Sequence, residues 1–203
     1  KRIEFQRNAL STVFDNKNND DWIIYSDSDE IPNLENIDFK KIKEKYLLFK
    51  QSMFYYKFNL SLPNLEWFGS KACRIKDLKS IDLLRSTKNK IYPFYRIDTL
   101  FSDIKHQSVE IVNDGGWHFS NLKNIEELER KFLNDENHAE YESQGYSIDR
   151  IKENLKNKSI DYNHKAKKNS SDRFNSTKLE KTELDILPSY LLKNIDFYKD
   201  WID

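Results

Sequence analysis

The sequence predicts an α/β domain, because segments typical of strands alternate with segments typical of helices. Runs of bulky, β-favouring apolar residues indicate strands at 22–25, 47–60, 72–75 and 106–112. Apolar residues at helical spacing indicate helices at 1–14, 77–85, 122–132, 148–155 and 184–202. Its 203 residues suffice for one sizeable core, so we expect a single domain over 1–203.

Composition excludes several classes of protein. The 34 basic and 34 acidic residues cancel, so no overall charge favours a nucleic-acid partner. No run approaches the roughly 18 apolar residues that cross a bilayer, and we expect no transmembrane segment. Only four glycines are present, without a glycine-rich phosphate loop. The single cysteine, Cys73, excludes an internal disulfide and is expected to be structural.

The segment 21–32 combines a strand with an acidic end. Trp22 to Tyr25 form an apolar run of the kind expected for a strand buried on both faces. Asp27, Asp29 and Glu30 follow where this strand would leave its sheet, the edge at which open α/β sheets bind ligands. This position makes the acidic segment the first candidate for a functional site.

Spacing suggests that two of these carboxylates share a target. In an extended segment, residues two apart point the same way, so Asp27 and Asp29 would face one site. Like charges held so close repel unless a cation lies between them, and Mg²⁺ or Mn²⁺ prefers such oxygen ligands. The alternative is a solvated acidic turn that caps the next helix. The strand in front favours the metal site.

The segment 156–181 is polar and net basic, with almost no apolar residue to anchor it. We therefore expect a mobile loop. It could cover a bound donor or touch an anionic surface, but a solvated loop is the simpler interpretation.

Several separate segments resemble glycosyltransferase family 17. The segment 21–32, with the sequence DWIIYSDSDEIP, is similar to the acidic signature of that family. Further segments of similar order and spacing lie at 4–10, 55–59, 67–69, 116–120 and 138–140. They extend over most of the chain, so the resemblance is far more specific than an Asp-x-Asp pattern alone.

The resemblance implies a GT-A type domain, a Rossmann-like mixed sheet flanked by helices. The family's first strands would lie upstream of Lys1, so we expect this chain to begin within the domain. The implied activity is metal-dependent, inverting transfer of N-acetylglucosamine or a related sugar from a UDP-sugar to a glycan acceptor. The implied location is cytoplasmic for a bacterial or viral protein and the Golgi lumen for a eukaryotic one.

The resemblance also implies roles at the metal. Asp29, and Asp27 through water, would bind Mn²⁺ or Mg²⁺, and His118 would complete the metal shell. Glu30 would orient the loop or a sugar hydroxyl group. The alternative for His118, which has aromatic neighbours in the sequence, is a core histidine.

An inverting transfer needs a base that deprotonates the acceptor hydroxyl. Asp114, beside Gly115 and Gly116, is the first candidate, and Glu30 is the other carboxylate assigned to catalysis. Further candidates are Glu110, Asp98, Asp103 and Glu66. Each of these is otherwise an ordinary surface carboxylate.

Donor binding is assigned to four residues, Asp27, Arg74, Trp67 and Trp117. Arginine can bind a diphosphate in a bidentate manner, and aromatic rings can stack on sugars. Tyr55 and Tyr56 are further stacking candidates, and His138 could support the site. The alternative is that the aromatic residues belong to the core and that Arg74 is an exposed residue at a strand end.

Two rival functions remain open. A metal-dependent phosphohydrolase could use the same carboxylates, although it would usually need more ligands. A carbohydrate-binding module or an inactive glycosyltransferase-like fragment would bind a glycan without binding a nucleotide.

Overall fold

The computed structural model describes residues 2–10, 14, 17–89, 93, 95–99, 101–102, 108–134, 147–166 and 170–203. The described elements combine a mixed sheet with helices, which confirms the coarse α/β class, although the first five strands follow one another without a helix between them. The chain divides into two compact units. The first unit comprises Lys1–Gln51 and Glu66–Trp117, and the second comprises Ser52–Leu65 and His118–Asp203.

The helices are α1 (Arg2–Ala9), α2 (Ile81–Ser86), α3 (Ile125–Asn134), α4 (Ile148–Asn157) and α5 (Ser189–Lys193). The strands are β1 (Trp22–Tyr25), β2 (Glu30–Pro32), β3 (Tyr46–Tyr55), β4 (Leu60–Ser61), β5 (Trp67–Arg74), β6 (Val109–Val112), β7 (Gly116–Ser120), β8 (Ser159–Ile160), β9 (Thr177–Lys178) and β10 (Glu180–Lys181). Short 3-10 segments are Ile75–Asp77, Ile97–Thr99, Ser171–Phe174, Leu184–Ile186 and Ile195–Trp201. No helix among the described residues is long and apolar enough to cross a membrane.

The sheet of the first unit contains both parallel and antiparallel pairs. β5 lies between β1 and β3 and is antiparallel to both, with Ala72 opposite Ile24 and Leu47. β3 is parallel to β6, with Leu47 opposite Glu110. β2 pairs with β7. β3 and β7 each begin in the first unit and end in the second.

The strand that is buried on both faces is β3, not β1. Leu48 packs in one cluster with Cys73 and Leu84, whereas Leu47 and Phe49 pack on the opposite side. In β1 only Ile23 is buried, and the other three residues are partly exposed. The prediction of a doubly buried opening strand is therefore wrong. An apolar run shows that a strand is hydrophobic, but its depth depends on which neighbours cover it.

The second unit has its own core. β4 pairs with the end of β3 and with β10, and β8 pairs with β9. α3 packs against α4. The ring of Phe119 lies 5.3 Å from that of Phe54 and 5.0 Å from that of Phe58, measured between ring centroids. Buried apolar residues of this unit include Met53, Leu62, Leu128, Phe132, Ile151 and Leu191.

The segment 156–181 differs from the predicted mobile loop. Its described residues contain β8, β9 and β10, and Ile160 and Leu179 are buried. The backbone N–H of Leu179 donates to the carbonyl of Lys158, 2.8 Å away. Ile160 and Leu179 are enough to anchor this segment. Strand pairing supplies hydrogen-bond partners for the backbone N–H and C=O groups around them. Residues 167–169 lie outside the described residues.

Side-chain caps begin helices α2 and α4. The Ser80 hydroxyl accepts from the backbone N–H of Leu83 at the start of α2, at 3.1 Å. The Ser147 hydroxyl accepts from the N–H of Arg150 at the start of α4, at 3.3 Å. Such caps satisfy N–H groups that have no partner within the helix. The first cap places α2 after β5, where its last turn reaches the acidic segment described below.

Candidate functional site

The acidic segment between β1 and β2 is a tight turn. The backbone N–H of Glu30 donates to the carbonyl of Asp27 at 3.0 Å, and the N–H of Asp27 donates to the Glu30 carboxylate at 3.2 Å. Ser28 and Asp29 occupy the turn itself. The predicted extended conformation is therefore wrong here. Strand alternation therefore does not direct Asp27 and Asp29 toward one target.

Glu30 is the buried anchor of this turn. Its side chain has no exposed surface, and its Oε1 accepts from the Trp67 indole at 3.1 Å and from Arg85 at 3.3 Å. A buried carboxylate is costly unless it is paired and hydrogen-bonded, and here these contacts supply both. Glu30 therefore orients the loop, the first of the two roles expected for it. This enclosure argues against Glu30 as a group that exchanges protons with substrate.

Asp27 lies at the rim of the same cluster. Its Oδ2 accepts from Arg85 at 2.6 Å, and its Oδ1 accepts from the Tyr25 hydroxyl at 3.1 Å. The Asp27 side chain is 36% exposed, so the carboxylate is open to solvent on one side. Asp29 is half-buried. These two carboxylates are thus partly accessible, whereas Glu30 is not.

Arg85 is the site residue that the sequence analysis missed. It lies in the last turn of α2 and joins three acceptors, Asp27, Glu30 and the carbonyl of Gly69, the last at 3.2 Å. Nothing in the sequence marks it, because it is one of 34 basic residues and lies far along the chain from the acidic turn. Arg85 is recognisable only from its contacts in the folded chain.

Lys71 holds the C-terminal end of α2 through hydrogen bonds. Its buried ammonium donates to the carbonyls of Arg85 and Thr87, the latter at 2.6 Å. Burial, and to a lesser degree the nearby charge of Arg85, lowers the pKa of Lys71 to about 8. A lysine held in this way stabilises the carbonyl end of a helix. Its contact with the Arg85 backbone helps to set the position of the Arg85 side chain.

A buried polar network supports the turn from the neighbouring strands. The Ser26 and Ser70 hydroxyls lie 2.6 Å apart, and the Gln51 amide donates to Ser70 at 3.0 Å. Gly69 makes room for this network, since a Cβ atom there would lie 2.0 Å from the side-chain oxygen of Gln51 and 2.7 Å from the Glu30 carboxyl carbon. A larger residue at this position would therefore displace the Gln51 and Glu30 side chains.

Asp114 lies in the turn between β6 and β7, where its φ is +51°. Its carbonyl accepts from the Asn33 side chain at 3.3 Å, and the Asn33 N–H donates to the Gly115 carbonyl at 2.9 Å. The turn is therefore joined to the segment that directly follows β2. Asp114 itself is exposed, and its role as a base stays a prediction.

The rival base candidates have other partners. Asp98 forms a bidentate pair with Arg96, at 2.6 and 2.8 Å, and Glu66 pairs with Lys50 at 2.7 Å. Partial burial and the adjacent Glu44 raise the pKa of Glu110. Asp103 and His138 lie outside the described residues. None of these observations assigns the base.

The residues assigned to donor binding have structural contacts. Arg74 lies over the Trp22 ring, 4.5 Å from its centroid, and donates to the carbonyl of Ile42 at 2.6 Å. These contacts support the alternative interpretation of Arg74 as a structural residue. Trp67 holds Glu30 through its indole, and Trp117 is half-buried.

Several of the candidate residues belong to the second unit. His118, Tyr55 and Tyr56 are buried, as the core interpretation of these residues expects. The Tyr55 hydroxyl lies 2.7 Å from Nε2 of His164. Burial, with a smaller effect from His118, lowers the pKa of His164 to about 4, so its imidazole is neutral near pH 7. Ligation of a metal by His118 stays a prediction.

Cys73 is buried in the first unit. Burial, and to a lesser degree the charge of Asp77, raises the pKa of its thiol to about 12. A thiol that stays protonated is a poor nucleophile, which agrees with the structural role expected for it.

Comparison of the chain with protein-family models, with curated proteins and with solved structures finds no match.

The accessible carboxylates suit a hard divalent cation in their chemistry. Among the described residues, no three His, Cys, Asp or Glu side chains are grouped so that they could hold a metal ion. Mg²⁺ and similar ions are nevertheless often bound by one or two carboxylates together with water and substrate phosphates. Asp27 and Asp29 can supply two such oxygen donors.

Proposed function

We propose that this chain is the catalytic part of a metal-dependent, inverting glycosyltransferase of the GT-A class. It transfers N-acetylglucosamine or a related sugar from a UDP-sugar to a glycan acceptor. One observation carries the proposal: the segment that resembles the family signature forms a turn with Asp27 and Asp29 partly exposed above a buried Glu30. The mixed α/β fold is compatible with this class.

Asp27 and Asp29 would hold Mn²⁺ or Mg²⁺. A divalent cation neutralises charge on the diphosphate leaving group as the sugar–phosphate bond breaks. The 3.1 Å hydrogen bond from Trp67 to Glu30 fixes the buried side of the turn, so the carboxylates of Asp27 and Asp29 stay in place. His118 is proposed as a further ligand on the resemblance alone.

Asp114 is the proposed general base. An inverting transfer requires a carboxylate that accepts the proton of the acceptor hydroxyl as the hydroxyl attacks the sugar. Asp114 is exposed, and hydrogen bonds of its turn to Asn33 hold it beside the chain that leaves the acidic segment. This placement supports Asp114 over Asp98 and Glu66, which are paired with Arg96 and Lys50.

The direct experiment measures release of UDP from UDP-N-acetylglucosamine in the presence of Mn²⁺ and a glycan acceptor. We expect turnover that depends on Mn²⁺ and falls at least about a hundredfold in Asp29→Ala, because charge stabilisation of the leaving group is lost. Asp38→Ala is the matched control, since it removes an exposed carboxylate that contacts Lys41 and the backbone N–H of Lys40. Full activity in both Asp27→Ala and Asp29→Ala would refute the metal assignment.

The same assay separates the rival functions. Hydrolysis of simple phosphate esters without sugar transfer would indicate a phosphohydrolase. Glycan binding without nucleotide binding would indicate a carbohydrate-binding module.

A further inference from the structure

Arg85 connects the two carboxylates of the acidic turn through one nitrogen. Its NH2 group donates to Asp27 at 2.6 Å and to Glu30 at 3.3 Å, while NH1 donates to the Gly69 carbonyl at 3.2 Å. The Arg85 side chain is 17% exposed. It is thus a mostly buried cation at the place where the proposed function requires an added cation.

The two carboxylates differ in how readily they can release Arg85. The Glu30 side chain is fully buried, so loss of its cationic partner would leave an uncompensated buried charge, which is strongly destabilising. The Asp27 side chain is 36% exposed, and pairs that water can reach contribute little to stability. Asp27 is therefore the partner that can be exchanged, and Glu30 is the permanent one.

We propose that Arg85 is the positioning residue of the acidic turn and its internal counter-ion. In the absence of metal it holds Asp27, and it releases the Asp27 carboxylate when a divalent cation binds there. Glu30 and the Gly69 carbonyl retain the guanidinium beside the turn during this exchange. The inference depends on the proposed function, because it takes Asp27 as a metal ligand.

Removal of a residue that competes with the metal changes Mn²⁺ affinity in a different direction from removal of a purely structural residue. If Arg85 competes for Asp27, removal of its charge strengthens Mn²⁺ binding, since the cation no longer displaces another positive charge. If Arg85 only holds the turn in shape, its removal weakens Mn²⁺ binding or leaves it unchanged. The sign of the change therefore separates the two roles.

The test compares Mn²⁺ affinity in Glu30→Gln with that in the double variant Glu30→Gln/Arg85→Gln, using electron paramagnetic resonance of free Mn²⁺. The shared Glu30→Gln change prevents a buried, unpaired carboxylate from unfolding the double variant. We expect about tenfold tighter Mn²⁺ binding in the double variant, of the order that removal of one nearby charge produces. Glu30→Gln/Arg74→Gln is the matched control, because Arg74 donates to backbone carbonyls, and we expect its affinity to equal that of Glu30→Gln.

Two outcomes would overturn the inference, and they are distinguishable. Equal or weaker Mn²⁺ binding in the double variant, with normal binding in the wild type, would refute the role of Arg85 alone. Absence of both Mn²⁺ and UDP binding in the wild-type protein would refute the proposed function together with the inference.

Discussion

Single buried charges in the first unit are compensated in different ways. Glu30 has an arginine partner, whereas the Lys71 ammonium is held by the neutral carbonyls of Arg85 and Thr87. Carbonyl oxygens replace part of the lost hydration but supply no opposite charge. The pKa of Lys71 therefore falls to about 8, well below the pKa of a lysine side chain in water.

This shift predicts how stability depends on pH. Between pH 8 and the unfolded value of 10.5, the unfolded chain keeps the Lys71 proton that the native state has lost, so stability rises with pH. We expect the free energy of unfolding of the wild type, minus that of Lys71→Met, to increase by about 2–3 kcal/mol across this range. Urea unfolding at several pH values measures this difference.

Lys76→Met is the control for that series, because the Lys76 ammonium is exposed and pairs with Asp20. Its difference from the wild type should change less over the same range, because the substitution removes no buried charge. An equal change for the two variants would contradict the assigned pKa of Lys71.

Among the elements, the pairing of β2 with β7 depends on one glycine. Gly116 has a φ of +127°, and a Cβ atom there would lie 2.0 Å from the carbonyl oxygen of Ile31. The contact is with backbone, so a flexible side chain cannot relieve it. This close approach holds the turn of Asp114 against the segment after β2.

Gly116→Ala should therefore destabilise the protein by about 2–3 kcal/mol, from backbone strain and from separation of the two strands. Thermal or urea unfolding measures the loss. Asn113→Ala, at an exposed position of the same turn, should change stability by less than about 0.5 kcal/mol. Equal stabilities of the two variants would show that β2 and β7 do not approach as closely as described.

The sequence predicted elements better than it predicted their environment. Helical spacing located α3 and α4, and the aromatic segment located β3, because local periodicity reflects the face that an element buries. The prediction from the sequence assigned burial on both faces to β1 instead of β3. That error has a physical cause: the depth of a strand depends on pairing with β5 and β6, which are distant in the sequence.

At the scale of the whole molecule, the sequence located the acidic turn but not the residues that hold it. The acidic turn and its partly exposed Asp27 and Asp29 lie where the sequence placed a candidate site. Arg85 could not be predicted, because its three contacts exist only after α2 folds back toward β1 and β5. A resemblance of motifs locates candidate ligands, but the counter-ions that hold them come from tertiary structure.

The central claim is that the acidic turn binds a nucleotide diphosphate through a divalent cation. Isothermal titration calorimetry of UDP, with and without Mn²⁺, tests it most directly in the wild type and in Asp29→Ala. We predict that UDP binds the wild-type protein only in the presence of Mn²⁺ and binds Asp29→Ala at least about tenfold more weakly. UDP binding that is independent of both Mn²⁺ and Asp29, or no UDP binding at all, would contradict the claim.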